Sequence, residues 1–458
     1  RLEVRLDGRL VPIEDLRPRS RRLGWSRRRK ARAPMGWLPP IRVLRPVVRA
    51  AGRWSAAARR RLIGLLAGSP PARARYRDAW VLMDRIYEAD DSGERLFEHL
   101  RRTRPDINAW FVLARSSPDW PRLAAAFPDR LVARGSLAWQ LLMHNAAWLL
   151  SSHADLEVVE PREIAASSRA RRWKFAFLQH GVMKDDLSVW LNQRNIDLFV
   201  VSTDPELESV AGDGTAYVYT HREARNTGLP RFDGLLRRAA EIPPEARDLV
   251  ILAPTWRTWL TLPSTVAERR RQLVADVRDT EFFRQWQGLI SAPAIAEAAG
   301  RAGLRLAFMP HPNLQPILDD LALPPHVVPL SFNGSDVQEI YARCALLVTD
   351  YSSVAFNVAL LDRPVVYFQF DREAVLSGGH MGRPGYFDYE RHGFGPVARD
   401  LESAVRAVVE AIDRGPVPED EYLERINRTF SNRDGRACER VVAAVEELSR
   451  PCRARMEA

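Results

Sequence analysis

His180 and His311 each follow an apolar run of strand length, the first in Gln179-His180-Gly181 after Phe175–Leu178, the second in Pro310-His311-Pro312 after Leu304–Met309. An imidazole titrates near neutral pH and can take a proton from a hydroxyl. Other runs end on groups suited to anions. Leu249–Ala253 leads into Pro254-Thr255-Trp256-Arg257, which offers a hydroxyl and a guanidinium that forks onto phosphate. Ala345–Thr349 leads into Asp350-Tyr351-Ser352-Ser353 at the start of an amphipathic segment, where Ser is a favoured N-cap beside open backbone amides. Ala147–Leu150 ends in Ser151-Ser152-His153, and Gly181 lets a backbone approach a ligand closely. A histidine at a strand end, or a Ser-Ser cap, is by itself an ordinary structural feature. The recurrence of such groups after successive runs is what points to a site, one combining a base with phosphate-binding groups. No Asp/Glu or Cys/His group has metal-ligand spacing, and neither a nucleophile elbow nor a P-loop occurs, so no metal or cofactor is expected.

The runs that carry these residues alternate with helix-like segments. Trp80–Met83, Ala109–Ala114, Leu131–Ala133, Ala147–Leu150, Phe175–Leu178 and Leu198–Ser202 form one series, with Gly93–Arg102 a helix between the first two. Asp84, Asp90 and Asp91 fall in the loop before that helix, as caps or on the acceptor side. A second series follows Gly228: Leu249–Ala253, Leu304–Met309, Val327–Leu330, Ala345–Thr349 and Pro364–Phe368. This βαβα rhythm predicts an α/β chain of two doubly wound, Rossmann-like domains, residues 76–226 and 227–450, facing a central cleft. Ligands of such sheets bind beyond the carboxyl ends of the strands, where the residues above stand.

At 458 residues, 46% hydrophobic and 28% charged, the chain suits two soluble domains, and no apolar run approaches the roughly 20 residues of a membrane span. Cys344, Cys438 and Cys452 show no paired spacing, which argues for a reducing compartment. The net charge of +10 is unevenly placed: residues 1–75 hold 21 basic and four acidic residues, the remainder 47 and 54. Within that basic segment, residues 1–16 read as a hairpin turning at Asp7-Gly8 and 17–40 as an Arg- and Pro-rich linker. Residues 41–66 read as a basic amphipathic helix, fit either for an anionic membrane surface or for packing on its own domain. A nucleic-acid partner is disfavoured, because the folded remainder is net acidic. The chain opens on Arg1 rather than Met, as a piece of something longer would.

Gln179-His180-Gly181, Thr227-Gly-Leu-Pro-Arg-Phe-Asp233, Pro254-Thr-Trp-Arg257, Pro310-His-Pro312 and Thr349-Asp-Tyr-Ser-Ser353 occur in that order, and the set resembles the CDP-glycerol glycerophosphotransferase family of teichoic acid primases and polymerases. The resemblance covers roughly residues 76–445. It departs from the family pattern in Gln-His-Gly-Val-Met-Lys, where Lys184 lies one position nearer the histidine. It implies a GT-B-like fold, a CDP-glycerol or related CDP-polyol donor gripped by the C-terminal domain, and a lipid-linked or polymeric acceptor. It also implies peripheral attachment to the cytoplasmic face of the plasma membrane. A homo-oligomer is compatible with it.

Carried onto this sequence, the resemblance makes His180 the base that deprotonates the acceptor hydroxyl. His311, Thr255, Arg257, Ser352 and Ser353 then hold the pyrophosphate and stabilise the departing CMP. Gly181, Lys184 and Arg231 line the facing side, and Asp350 orients a histidine or a ribose hydroxyl. His153 reads as an acceptor-side or structural residue, Trp256, Trp190 and Tyr351 as core or as stacking partners for cytosine, with core favoured, and His380 as part of a loop that either covers the donor or is simply a surface loop. Two rival readings are a GT-B glycosyltransferase using a nucleotide sugar and a non-enzymatic membrane- or nucleic-acid-binding protein.

Overall fold

The computed structural model describes residues 3–6, 9–12, 56–165, 173–262, 272–319, 321–331, 336–379 and 383–450. In the N-terminal unit, residues 1–53, two four-residue strands, β1 (Glu3–Leu6) and β2 (Arg9–Pro12), pair antiparallel with Leu6 opposite Arg9. That pairing suits the expected hairpin. Asp7-Gly8, the linker and residues 41–55 of the expected basic helix lie outside the described residues.

The second unit, from Trp54 onward, opens with the helix Ala56–Ala67. Its Ile63 and Ala67 are buried and Leu66 partly so, and the helix packs on the helix Leu137–Met143. This part of the basic segment therefore folds against its own domain. Leu65 stays 74% exposed, on the same helix as the exposed Arg59 and Arg61.

Two all-parallel sheets form the rest. The first contains β3 (Ala79–Met83), β4 (Ala109–Leu113), β5 (Leu131–Ala133), β6 (Ala146–Ser151), β7 (Lys174–Phe177), β8 (Leu198–Val201) and β9 (Ala224–Asn226), in the order β5-β4-β3-β6-β7-β8-β9. The second contains β10 (Leu249–Ala253), β11 (Arg305–Phe308), β12 (Val327–Pro329), β13 (Cys344–Thr349), β14 (Val365–Phe368) and β15 (Val397–Ala398), in the order β12-β11-β10-β13-β14-β15. Strands such as Ala79-Trp-Val-Leu-Met83 and Leu249-Val-Ile-Leu-Ala253 are buried throughout, because helices cover both sheet faces. The edge strands β9 and β15, three and two residues long, are too short to announce themselves in the sequence. The fold is the doubly wound, GT-B-like pair of domains facing a central cleft. Strand order reverses between β3 and β6 in one sheet and between β10 and β13 in the other, and the crevice at such a switch point is where ligands bind.

The segment Thr227–Asp233 joins the two sheets, and each of its unusual residues has a mechanical reason. Gly228 adopts φ +76°, which a side chain would strain. Pro230 starts the helix Pro230–Glu241. Both Asp233 carboxylate oxygens accept backbone N–H bonds from Ala437 and Cys438, each 2.8 Å, so they cap the last helix, Ala437–Ser449, from outside it. That helix packs against β8 and the helix Ser92–Thr103. Trp148 Nε1 donates to Ser449 Oγ at 2.8 Å, and Arg104 pairs with Glu446 at 2.7 Å. Residues 437–449 thus complete the first sheet's covering, although the linear boundary drawn from the sequence puts them with the second.

Candidate active site

His180 emerges from β7 through an unusual backbone step. Gln179 has φ +58°, in the left-handed region that a non-glycine residue enters only when held there. Its side-chain amide does the holding, donating to the Val200 carbonyl at 2.7 Å and to Glu206 Oε1 at 2.9 Å. Glu206 also accepts from the backbone of Met183 (2.8 Å) and of Ser202 (2.8 Å), so one buried carboxylate fastens both ends of the loop that presents His180. Burial pushes the Glu206 carboxyl up, and the donors around it oppose that rise. Glu206→Ala is expected to cost at least about 2 kcal/mol of stability, since it leaves several buried donors unpaired. Urea denaturation checks this, and an unchanged midpoint would contradict it.

The His180 ring stacks on His153, with centroids 4.5 Å apart and planes inclined by 12°. It also bonds the Ser152 backbone, and its own carbonyl accepts from Arg231 Nη1 at 2.5 Å. Arg231 Nη1 lies 3.5 Å from Asp91 as well. Solvent reaches His180, yet it sits deep enough among protein atoms that desolvation dominates and pulls its pKa down. Asp91 works against that, and Arg85 and Arg231 reinforce it. His180 is therefore a neutral imidazole at pH 7, ready to accept a proton. The same depression ties stability to pH. Unfolded imidazoles bind protons that the folded ones resist, so this contribution is present above about 6.5 and is lost as pH falls.

The facing lobe brings its own groups. A Cβ on Gly181 would come within 3.0 Å of Ser353 Oγ, so the glycine after His180 lies against the second serine after β13. Ser353 stands at the N-cap of the helix Val354–Ala359 without a side-chain capping bond, and Ser352 Oγ, one residue earlier, accepts from Val354 N at 3.2 Å. His311 is partly exposed, with Nδ1 accepting from Asn313 N at 3.2 Å. Thr255 is buried, and its Oγ1 has no hydrogen-bond partner among the described residues.

Arg257 and Asp350 are placed differently from the phosphate-gripping and ribose-orienting roles expected of them. Arg257 is fully buried between Asp350 (Nη2 to Oδ2, 2.8 Å) and Asp371 (Nε to Oδ2, 2.8 Å), and it also donates to the Thr255 carbonyl at 2.7 Å. Asp350 Oδ1 accepts from the backbone of Thr255 and Tyr351 at 2.9 and 2.6 Å. Burial disfavours the guanidinium charge, but the two carboxylates outweigh it and hold Arg257 protonated. These residues brace the two loops from within. Lys184 is also buried, bonded to Asp185 at 2.6 Å beneath the Tyr389 ring. Beside it the lobes clasp: a Cβ on Gly385 would overlap the Lys184 carbonyl, and Asp186 N donates to the Arg383 carbonyl at 2.9 Å. Trp256 and Tyr351 are core, Trp190 is half-buried, and His380 lies outside the described residues.

The family model for CDP-glycerol:poly(glycerophosphate) glycerophosphotransferase matches residues 75–447, which span both lobes and every group just described. The chain belongs to that family. Among curated relatives, the minor teichoic acid biosynthesis protein GgaB of Bacillus subtilis (strain 168) is 29% identical over 374 residues, which is 81% of this chain and 40% of GgaB. The teichoic acid glycerol-phosphate transferase of Staphylococcus aureus is 28% identical over 114 residues, 24% of this chain and 28% of that protein. The chain thus spans well under half the length of GgaB. In fold it matches the wall teichoic acid polymerase TagF, with a TM-score of 0.61 at 16% identity, over 89% of this chain and 97% of that structure.

In this glycerophosphotransferase-family chain the supports of the site were harder to read than the site itself. Glu206 has a signal, the Thr203-x-x-Glu206 capping pattern, and Thr203 Oγ1 does accept from Glu206 N at 3.2 Å. The carboxylate, however, reaches Ser202 and the His180 loop. Asp371 and Arg85 carry no signal. Their partners, Arg257 and His153, lie 114 and 68 residues away.

Proposed function

We propose that this chain transfers a polyol phosphate, most simply glycerol phosphate, from a CDP-activated donor to an acceptor hydroxyl of a teichoic-acid-like cell-surface polymer. The observation that carries the reading is a neutral His180 at the cleft-facing end of β7, with Gly181 against Ser353 of the opposite lobe. His180 takes the acceptor proton as the acceptor oxygen forms its bond to the donor's β-phosphorus. The bond from that phosphorus to the bridging oxygen breaks, and CMP leaves with the electron pair. His311, Ser352 and Ser353, each partly exposed, are the groups able to meet the pyrophosphate, with the Thr255 hydroxyl buried behind them, where fixed donors stabilise charge as it grows.

No helix among the described residues is long and apolar enough to cross a membrane. Work at the cytoplasmic membrane face would then rest on a peripheral surface, and exposed Leu65 with Arg59 and Arg61 is suited to contribute.

The test is CMP release from CDP-glycerol and CDP-ribitol with a glycerol-phosphate-primed acceptor, alongside a panel of nucleotide sugars. Release from a CDP-polyol supports the proposal. Turnover of a nucleotide sugar alone overturns it in favour of the glycosyltransferase reading. A pH dependence follows too. Because burial, Arg85 and Arg231 outweigh Asp91 and the Ser152 carbonyl at His180, the base stays neutral below the ordinary imidazole pKa. The profile of kcat/KM is expected to stay flat down through about 6.5 and to fall only at lower pH. An acid limb above that value would contradict the assignment.

A further inference from the structure

We propose that His153 is a positioning residue for His180, a neutral imidazole locked in one tautomer that serves as the platform on which the His180 imidazolium forms. The inference rests on the phosphotransfer reading and assigns a role to a residue which that mechanism leaves unused. His153 is buried, and both of its ring nitrogens are engaged. Arg85 Nε donates to Nε2 at 2.7 Å, and a guanidinium has only protons to offer, so Nε2 must accept. Nδ1 therefore carries the hydrogen and donates to Ser152 Oγ at 2.9 Å. Ser152 in turn bonds the Asp84 carboxylate, which is fixed by backbone N–H groups of Asp91, Gly93 and Glu94 at 3.2, 2.7 and 3.1 Å. The donor chain runs from Arg85 through His153 and Ser152 and ends on Asp84, which the backbone N–H groups at the helix start also meet as donors, and it leaves no lone pair on His153 to compete for the acceptor's proton.

Two consequences follow for His180. Its ring has a flat partner at 4.5 Å, which restricts its rotamer, and Ser152 bonds both rings, His153 through its hydroxyl and His180 through its backbone. Once His180 is protonated, the neutral face of His153 meets a cation, an arrangement electrostatics favours. Burial, with His180, Arg85 and Arg231 adding to it, keeps His153 itself far from protonation. The charge therefore stays on the ring that faces the cleft.

The experiment compares wild type with His153→Ala and His153→Phe, measuring kcat and donor KM by CMP release. In parallel, the His180 tautomer is read by nitrogen-15 NMR of histidine-labelled protein without substrate. His153→Ala is expected to lower kcat roughly 10- to 100-fold with donor KM within about twofold, because the base loses its orientation rather than its ligand. His153→Phe, which restores a flat ring, should recover at least half of that loss on a logarithmic scale. In the spectrum, the single His180 tautomer of wild type should become a mixture in His153→Ala. A kcat within twofold of wild type in His153→Ala, or an unchanged His180 tautomer, would overturn the proposal. So would a loss confined to KM, or a Phe variant no better than the Ala variant. If His153→Ala fails to fold, the Phe variant and the wild-type tautomer still decide. Should wild type release no CMP at all, the functional reading fails, while the tautomer still reports on the platform.

Discussion

His180→Ala is expected to reduce CMP release by roughly 10²- to 10⁴-fold, the usual contribution of a positioned general base, with donor affinity nearly unchanged. Removing the ring costs its stack on His153 and its bond to the Ser152 backbone, but not the contacts that shape the loop. Its side chain is open to the cleft, and the Arg231 bond is to its backbone carbonyl, which the substitution keeps. The Gln179 side-chain amide and the Glu206 carboxylate continue to hold the loop. The loss should therefore fall on kcat, with the denaturation midpoint close to that of wild type. Steady-state CMP release alongside calorimetric titration of CDP-glycerol separates the two. A variant that binds donor normally and still turns over near the wild-type rate would remove His180 from the chemistry.

The second large effect is on stability. Arg257→Met should cost about 3–5 kcal/mol, because Asp350 and Asp371 would be left buried without their countercharge. Arg257→Lys is not a mild change, since an ammonium cannot span both carboxylates as the guanidinium fork does. Had this arginine gripped the donor, its replacement would raise donor KM and leave folding intact. Urea denaturation with donor titration of the folded fraction distinguishes these outcomes. The expected result is a large fall in the midpoint, and loss of affinity at unchanged stability would restore Arg257 to the binding surface.

The contrast between these two residues shows how far a sequence can be read. Both stand just past a buried strand, in short polar motifs that look equally chemical. His180 reaches solvent because Gln179 takes a left-handed turn that only its amide contacts with Val200 and Glu206 sustain. Arg257 turns inward because Asp350 and Asp371 await it there. The direction of a loop side chain after a strand is set by partners distant in sequence, and no local pattern encodes it. The same holds for His153, whose place beside His180 depends on the pairing of β6 with β7.

The sequence by itself determined the alternation of strands and helices, the doubly wound fold, the strand ends on which the site is built and the family motifs. Those features are written in hydrophobic runs, turn residues and short spacings, which are local. Tertiary structure alone decided which polar groups face the cleft and which brace it, that two histidines stack, and that the last helix returns to the first sheet under an Asp233 cap. Each of these depends on contacts between residues tens to hundreds of positions apart. In a buried site such contacts fix both the orientation and the charge of a group, since desolvation and a specific partner shift its proton affinity more than its chemical type does.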